Sequence, residues 1–484
     1  FINFQFCSAA HIMIPDILAS RYVSSEISEI WSPEGKVYLE REFWIVVMKA
    51  QQKLGVDIPE SAINSYEKVK SQIDLKSISK REKKLRHDVK SRIEEFCDLA
   101  GYQHIHKGLT SRDLTDNVEQ LQILRSLKKI RLKVVAVLHQ MASWSLRTKN
   151  ISLVGRTHNI PAQPTTLGKR ISMFGEEILF ALGRFEHLIE NYPMRGIQGA
   201  IGTRLDQFEL MNGDEKKVRK LNKLVLEHFD SSSVMNSVGQ IYPRSLDLET
   251  VNGLITISSG ISSFAKTLRL MAGQDLATEG FQKGQTGSSA MPHKMNARTS
   301  ERICGLHHVL TGYGSMLTGI SGDQWNEGDV SCSVVRRVAL PGAFFAADGL
   351  LEATLTVLKE MAFYEARIKE ELQKNLPFLA STVLLMKAVR NGGGRENMHQ
   401  IIKEHAVAIA ENLRQGKSNL NEFAQCLAED HRFPLSLKEI DAVLNDHANL
   451  SASATEQAEK FANSVEKWTI RFPEAKEILP KELL

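Results

Sequence analysis

Between Pro59 and Pro161 the chain has no proline, and through that stretch and beyond it apolar residues return at helical spacing. A proline inside a helix removes a backbone donor and clashes with the preceding turn, at a cost of about 3 kcal/mol. Its absence over so long a stretch permits long helices. Leu246–Met271 shows the pattern best: Val251, Leu254, Ile255, Ser258, Ile261, Phe264, Ala265 and Leu268 follow i, i+3, i+4, i+7 steps along one helical face. Similar patterns predict helices over Asn117–Ser145, Gln163–Asn191, Ser300–Gly319 and Ser333–Leu358. A helix with one apolar stripe needs a partner to bury it, so helices of this length must pack side by side. No alternating pattern is strong enough to build a main sheet. The expected fold is all-α.

At 484 residues the chain exceeds one ordinary core, and three helical domains are expected. These are an N-terminal helical domain over 1–109, a central long-helix bundle over 110–364 and a C-terminal helical domain over 365–484. Within the first, residues 1–12 read as an extension without function and Met13 as a candidate initiator. The hydrophobic content of 42% and charged content of 24% are those of an ordinary soluble protein. A net charge of +4 suits an anionic substrate without demanding nucleic acid. The lysine-rich stretch Lys68–Arg92 also holds Asp74, Glu82 and Asp88 and has no interleaved aromatics, so it reads as a solvated helix face. Neither nucleic acid nor a membrane is expected as a partner, since no apolar run approaches the roughly 20 residues a span needs. Cys7, Cys97, Cys304, Cys332 and Cys426 are scattered and nowhere in CxxC spacing, which indicates neither a disulfide framework nor a zinc site and fits a reducing cytoplasm.

The segment Gly287-Ser288-Ser289-Ala290-Met291-Pro292-His293-Lys294-Met295-Asn296 puts two hydroxyls, an ammonium and a carboxamide on one loop. Gly280, Gly284 and Gly287 precede or start it and Pro292 interrupts it, so no regular element should run through. Composition alone fits a solvent loop between helices. The residue types also suit a mobile lid, near 280–297, that binds and deprotonates a carboxylate-bearing carbon acid. The string resembles the signature Gly-Ser-Ser-x-Met-Pro-x-Lys-x-Asn of the fumarase/aspartase superfamily. That resemblance implies elimination of fumarate, or a close relative, from a substituted succinate.

Such an elimination removes a weakly acidic proton beside a carboxylate, so fixed donors must stabilise the dianion that forms while a base and an acid move protons. Further segments resemble the adenylosuccinate lyase branch of that superfamily. In Gly155-Arg156-Thr157-His158-Asn159-Ile160-Pro161-Ala162-Gln163-Pro164, the two flanking prolines are expected to place Thr157 and His158 on a turn beside a helix N-terminus. The resemblance implies that His158 is the general acid, with Thr157 beside the substrate. Leu85-Arg86-His87-Asp88-Val89, read as part of a helical pattern, fits an exposed polar face; the resemblance makes His87 and Asp88 substrate-binding. Thr110-Ser111-Arg112-Asp113 fits a helix cap equally well, while the resemblance assigns the hydroxyls of Thr110 and Ser111 to a carboxylate.

Val238-Gly239-Gln240-Ile241-Tyr242-Pro243-Arg244 matches a stretch in which Gln240 touches the succinyl group, with Arg244 nearby. In the lid, the resemblance implies Ser288 as the base, Ser289 beside it, and Lys294 and Asn296 as carboxylate holders. The residues themselves do not separate the two serines. Arg21-Tyr22 matches the family's N-terminal phosphate-binding pair and Arg302 an arginine that contacts the same substrate; guanidinium groups suit phosphate. One departure stands out. Many family members carry Glu-Arg-Asp after a tryptophan where this chain, after Trp325, reads Asn326-Glu327-Gly328-Asp329. Either the contact is lost or Arg336 or Arg337 replaces it; Ser333 is retained.

The resemblance implies cleavage of adenylosuccinate and of the succinyl-aminoimidazole-carboxamide ribotide of purine synthesis. The partners expected are therefore small succinylated purine-pathway nucleotides. It implies no metal and no organic cofactor, and a homotetramer whose sites draw on three subunits. The alternatives are sister enzymes sharing the lid, argininosuccinate lyase or carboxymuconate cycloisomerase.

Overall fold

A computed structural model describes residues 16–231, 233–281, 290–417, 421–446 and 450–481. The principal helices are α1 (Pro33–Lys53), α2 (Asp88–Ala100), α3 (Ser111–Arg147), α4 (Leu167–Glu190), α5 (Ser245–Gly273), α6 (Arg298–Ile320), α7 (Cys332–Glu360) and α8 (Ala454–Arg471). The five periodic segments fall on α3 to α7, and the fold is all-α as expected. At 37 residues, α3 is roughly 55 Å long. Helices α3, α4, α5, α6 and α7 close a ring in which each packs on the next and α7 returns to α3, while α8 lies across α3 and α4. Each stripe thereby finds its partner.

The predicted start of α4 at Gln163 lies inside a strand. Pro161 and Pro164 keep Ile160–Thr166 (β2) extended against Ser152–Thr157 (β1), and the helix begins at Leu167, where the Thr166 side chain accepts from the Lys169 N–H. The other described pairing of strands, Ala277–Thr278 with Ala362–Phe363, is two residues long.

The buried apolar side chains form two clusters. One unites residues from Leu18 onward with the ring and with Phe461, Val465 and Phe472 of the C-terminal segment. The other gathers helices between Leu372 and Leu450 and takes Val154 from β1 as a plug, so the hairpin is fastened to the C-terminal helices. Helix α7 is more apolar than the sequence reading allowed: by length and composition it could cross a membrane. It is a core helix instead, with 89% of its most apolar window buried. The buried Asp348 and Glu352 on it are both bonded to Lys133 of α3.

Candidate active site

Eight of the sequence-predicted residues gather where α3 and α7 begin. Thr110 is the N-cap of α3 and its N–H donates to Asp113 at 2.9 Å, so the cap reading of this motif holds in the structure. Asp113 is fully buried and also accepts from Arg195 Nη1 at 2.5 Å and from the N–H groups of Gln198 and Gly199 at 2.8 and 3.0 Å. It therefore ties the start of α3 to the 195–199 loop, and leaves the half-buried Thr110 and Ser111 at the positive end of a long helix.

His87 does not lie within a helix as read from the sequence. Arg86, at φ +51°, ends the Leu75–Leu85 helix, and His87 is the N-cap of α2, its Nδ1 accepting from the Lys90 N–H at 3.2 Å. With Nδ1 an acceptor, the neutral ring carries its proton on Nε2 and can donate it to a ligand. Burial works to raise the Asp88 pKa, but Arg92, the Val89 N–H and Arg337 together outweigh it and hold the carboxyl below its usual range. Arg337 Nη2 approaches Asp88 at 3.5 Å. Ser333 and Arg337 are one turn apart near the start of α7 and share a face.

Between Arg336 and Arg337 the structure decides. Arg336 is 3% exposed and spends its donors on Asp247 (2.7 Å), Glu119 (2.6 Å) and the Tyr242 hydroxyl (2.5 Å). It cannot replace the missing arginine, whereas Arg337 is exposed. Gly328 itself has φ +136°, and a Cβ there would meet Ile241 Cγ1 at 3.2 Å. An L-residue is strained in that conformation, so the loop is built for glycine. The Gln240 N–H donates to the neighbouring Glu327 carbonyl at 2.6 Å, which seats Gln240 on this loop. Arg244 is buried, with Nη2 on Asp116 at 3.1 Å; Nε and Nη1 have no hydrogen-bond partner among the described residues.

Two of the residues expected at the nucleotide end meet. Arg302, in the first turns of α6, places its guanidinium 5.4 Å from the centroid of the Tyr22 ring, next to the exposed Arg21.

Of the loop near 280–297, residues 280–281 and 290–297 are described, so Ser288 and Ser289 lie outside the described residues. Lys294 is exposed and Asn296 half-buried, and both line a groove of about 840 Å³ with Lys266, Arg269, Glu279 and Tyr364. Sequence reasoning missed Glu279. This buried carboxylate accepts from the N–H groups of Thr299 and Ser300 at 2.8 Å each, and from the Ser300 hydroxyl at 2.9 Å. It caps α6 and ties the chain at residue 279 to that helix start. The available signal was an acid just before the glycine-rich loop, facing a helix start that has no capping side chain of its own.

His158 departs from its expected setting. With φ +52° and +61°, His158 and Asn159 form the exposed two-residue tip of the β1–β2 hairpin. The N-terminus of α4 lies beyond the seven residues of β2, roughly 23 Å of extended chain away. Arg156 steadies the tip by donating to the Asn159 carbonyl at 3.0 Å and pairing with Glu371. Thr157 is exposed beside it.

A ring of long helices with a polar loop entering one of them defines a class before it defines a protein. The family described as "Lyase" matches residues 23–312, and the "Adenylosuccinate lyase C-terminus" matches 377–461. The 3-carboxy-cis,cis-muconate lactonizing enzyme of Pseudomonas putida superposes with a TM-score of 0.79 at 17% identity, covering 94% of this chain and 99% of that one. Fumarate lyase from Mesorhizobium sp. BNC1 gives 0.76 at 18% identity, with coverages of 92% and 98%. These two likenesses establish the fold alone. Adenylosuccinate lyase of Schistosoma mansoni is 31% identical over 92% of this chain and 94% of its own length, and that of Saccharomyces cerevisiae 31% over 92% and 93%. The chain belongs to the adenylosuccinate lyases of the fumarase/aspartase superfamily.

Proposed function

We propose that the protein eliminates fumarate from adenylosuccinate, leaving AMP, and from succinyl-aminoimidazole-carboxamide ribotide in purine biosynthesis. It is a carbon–nitrogen lyase working by general acid–base β-elimination. The observation that carries this reading is the likeness to adenylosuccinate lyases along nearly the whole chain, including a C-terminal region matched at residues 377–461. The sister cycloisomerases share the fold at identities too low to speak for their chemistry.

In this reading Ser288 removes the proton beside the carboxylate and His158 protonates the departing nitrogen. Ser289, Lys294 and Asn296 hold the carboxylates as charge grows on them, and Gln240 and Thr157 touch the succinyl part. Thr110 and Ser111 add hydroxyls at the start of α3. His87 donates from Nε2, oriented by its cap bond, with Asp88, Ser333 and Arg337 beside it and Arg244 behind Gln240. Arg21, Tyr22 and Arg302 take the phosphate.

An exposed hairpin tip carrying the acid is the kind of element that completes a site on another subunit, which favours a homotetramer with shared sites. So does the outer face of α6. Gly305, Gly312 and Gly319 recur there every seven residues with open space beside them, among the exposed Val309 and Met316. A cytoplasmic location suits the purine pathway and the free thiols of Cys97, Cys304, Cys332 and Cys426. The test is fumarate release by the purified protein from adenylosuccinate and, separately, from argininosuccinate. Turnover of the second and not the first would overturn the reading.

A further inference from the structure

Arg21 and Tyr22 end a helix of only 5 residues, too short to hold a phosphate-binding pair by itself. Tyr22 rests against α7 at Gly349, where an added Cβ would fall 2.6 Å from the Tyr22 Cβ. Two residues on, the Ser24 N–H donates to the buried Asp348 carboxylate at 2.7 Å. The other Asp348 oxygen accepts from the Lys133 ammonium, which also donates to Glu352 at 2.5 Å. The second Glu352 oxygen accepts the backbone N–H of Lys481 at 2.7 Å, and the Lys481 ammonium donates to the Val23 carbonyl at 3.0 Å. The bonds thus close a circuit from Val23–Ser24 through Asp348, Lys133, Glu352 and Lys481 back to Val23.

The charge count explains why the backbones at Ser24 and Lys481 take part. One buried ammonium faces two buried carboxylates, so each carboxylate has one oxygen left for a neutral donor, and an unpaired buried oxygen is costly. The N–H groups of Ser24 and Lys481 are those donors. We propose that Lys481, with the Lys133–Asp348–Glu352 cluster, is a positioning residue for the nucleotide phosphate: it clamps the Val23–Ser24 backbone so that Arg21 and Tyr22 stand beside Arg302. This rests on the functional reading above.

The test compares wild-type and Lys481→Met full-length protein on adenylosuccinate and on succinyladenosine, the same substrate without its phosphate. One lost hydrogen bond at the clamp is expected to raise KM for adenylosuccinate roughly two- to tenfold, with kcat within about twofold. Turnover of succinyladenosine stays unchanged, and Lys481→Arg restores the wild-type KM. Ser24→Pro, at a residue whose φ of −67° suits proline, removes the donor to Asp348 and gives the same split whatever the folding yield of Lys481→Met. An unchanged KM, or an equal shift on both substrates, overturns the clamp while leaving the functional reading intact. A wild-type protein inactive on adenylosuccinate overturns both.

Discussion

Glu279→Ala removes the acceptor that ties residue 279 to the start of α6. The carboxylate receives two N–H groups from the first turn of α6 and the Ser300 hydroxyl, all within 2.9 Å. Hydrogen bonds to a charged group contribute about 1.5–3 kcal/mol each, and a carboxylate at a helix N-terminus about 0.3–1 kcal/mol more. Water entering the vacated space recovers part of that sum, so a net loss of about 2–4 kcal/mol is expected. If this cap holds Lys294 and Asn296 in place for the proposed reaction, that loss enters the barrier, and kcat falls roughly 30- to 1000-fold. Glu279→Gln keeps one acceptor but turns an NH₂ group toward the second set of donors, so it should fall between the wild type and alanine. The assay is steady-state fumarate release, run beside thermal unfolding to separate folded from lost enzyme. A well-folded Glu279→Ala with kcat within twofold of wild type would refute the reasoning.

Lys133→Met strands two carboxylates in the core and is expected to cost about 3–5 kcal/mol in urea unfolding. In the wild type, burial lowers the Lys133 pKa but Asp348 and Glu352 more than offset it, so the folded value lies above the ordinary 10.5; its contribution is complete below that pH and is lost as pH climbs through the folded value. His106 behaves oppositely. Desolvation pushes it down to about 4, and its neutral Nδ1 accepts from Trp44 Nε1 at 3.1 Å. Its contribution, on the order of 3 kcal/mol, is present above the ordinary 6.5 and lost as pH falls toward 4; His106→Asn should flatten that part of the pH–stability curve. Gly328→Arg, which restores the family residue, should lower stability by about 1–3 kcal/mol through backbone strain and leave KM for adenylosuccinate no better than wild type.

Part of the candidate site is readable as residue types in strings: Lys294 and Asn296, which line one groove, the Thr-Ser-x-Asp cap and Arg21-Tyr22 all stand in local motifs. What failed was the setting of particular side chains. His158 read as a helix-terminal turn because two prolines signal extension without saying what the extended chain pairs with; β1 supplied that partner. His87 read as helical because its neighbours are good helix formers, and the break comes from Arg86 in a left-handed conformation. Arg336 and Arg337 are adjacent and chemically alike. Only the turn of about 100° between successive residues of α7 sends one into an ion-paired core and the other outward.

Helical periodicity and the scarcity of proline determined the long helices and the all-α class, since both act over a few turns of one chain segment. The tertiary structure alone decided which distant residues meet: Glu279 with Thr299 and Ser300, Asp113 with the 195–199 loop, and Glu352 with the Lys481 N–H, 129 positions along the chain. Those pairings come from buried charges seeking donors once the ring has closed. That demand carries no local signature, because any donor brought to the right place can meet it.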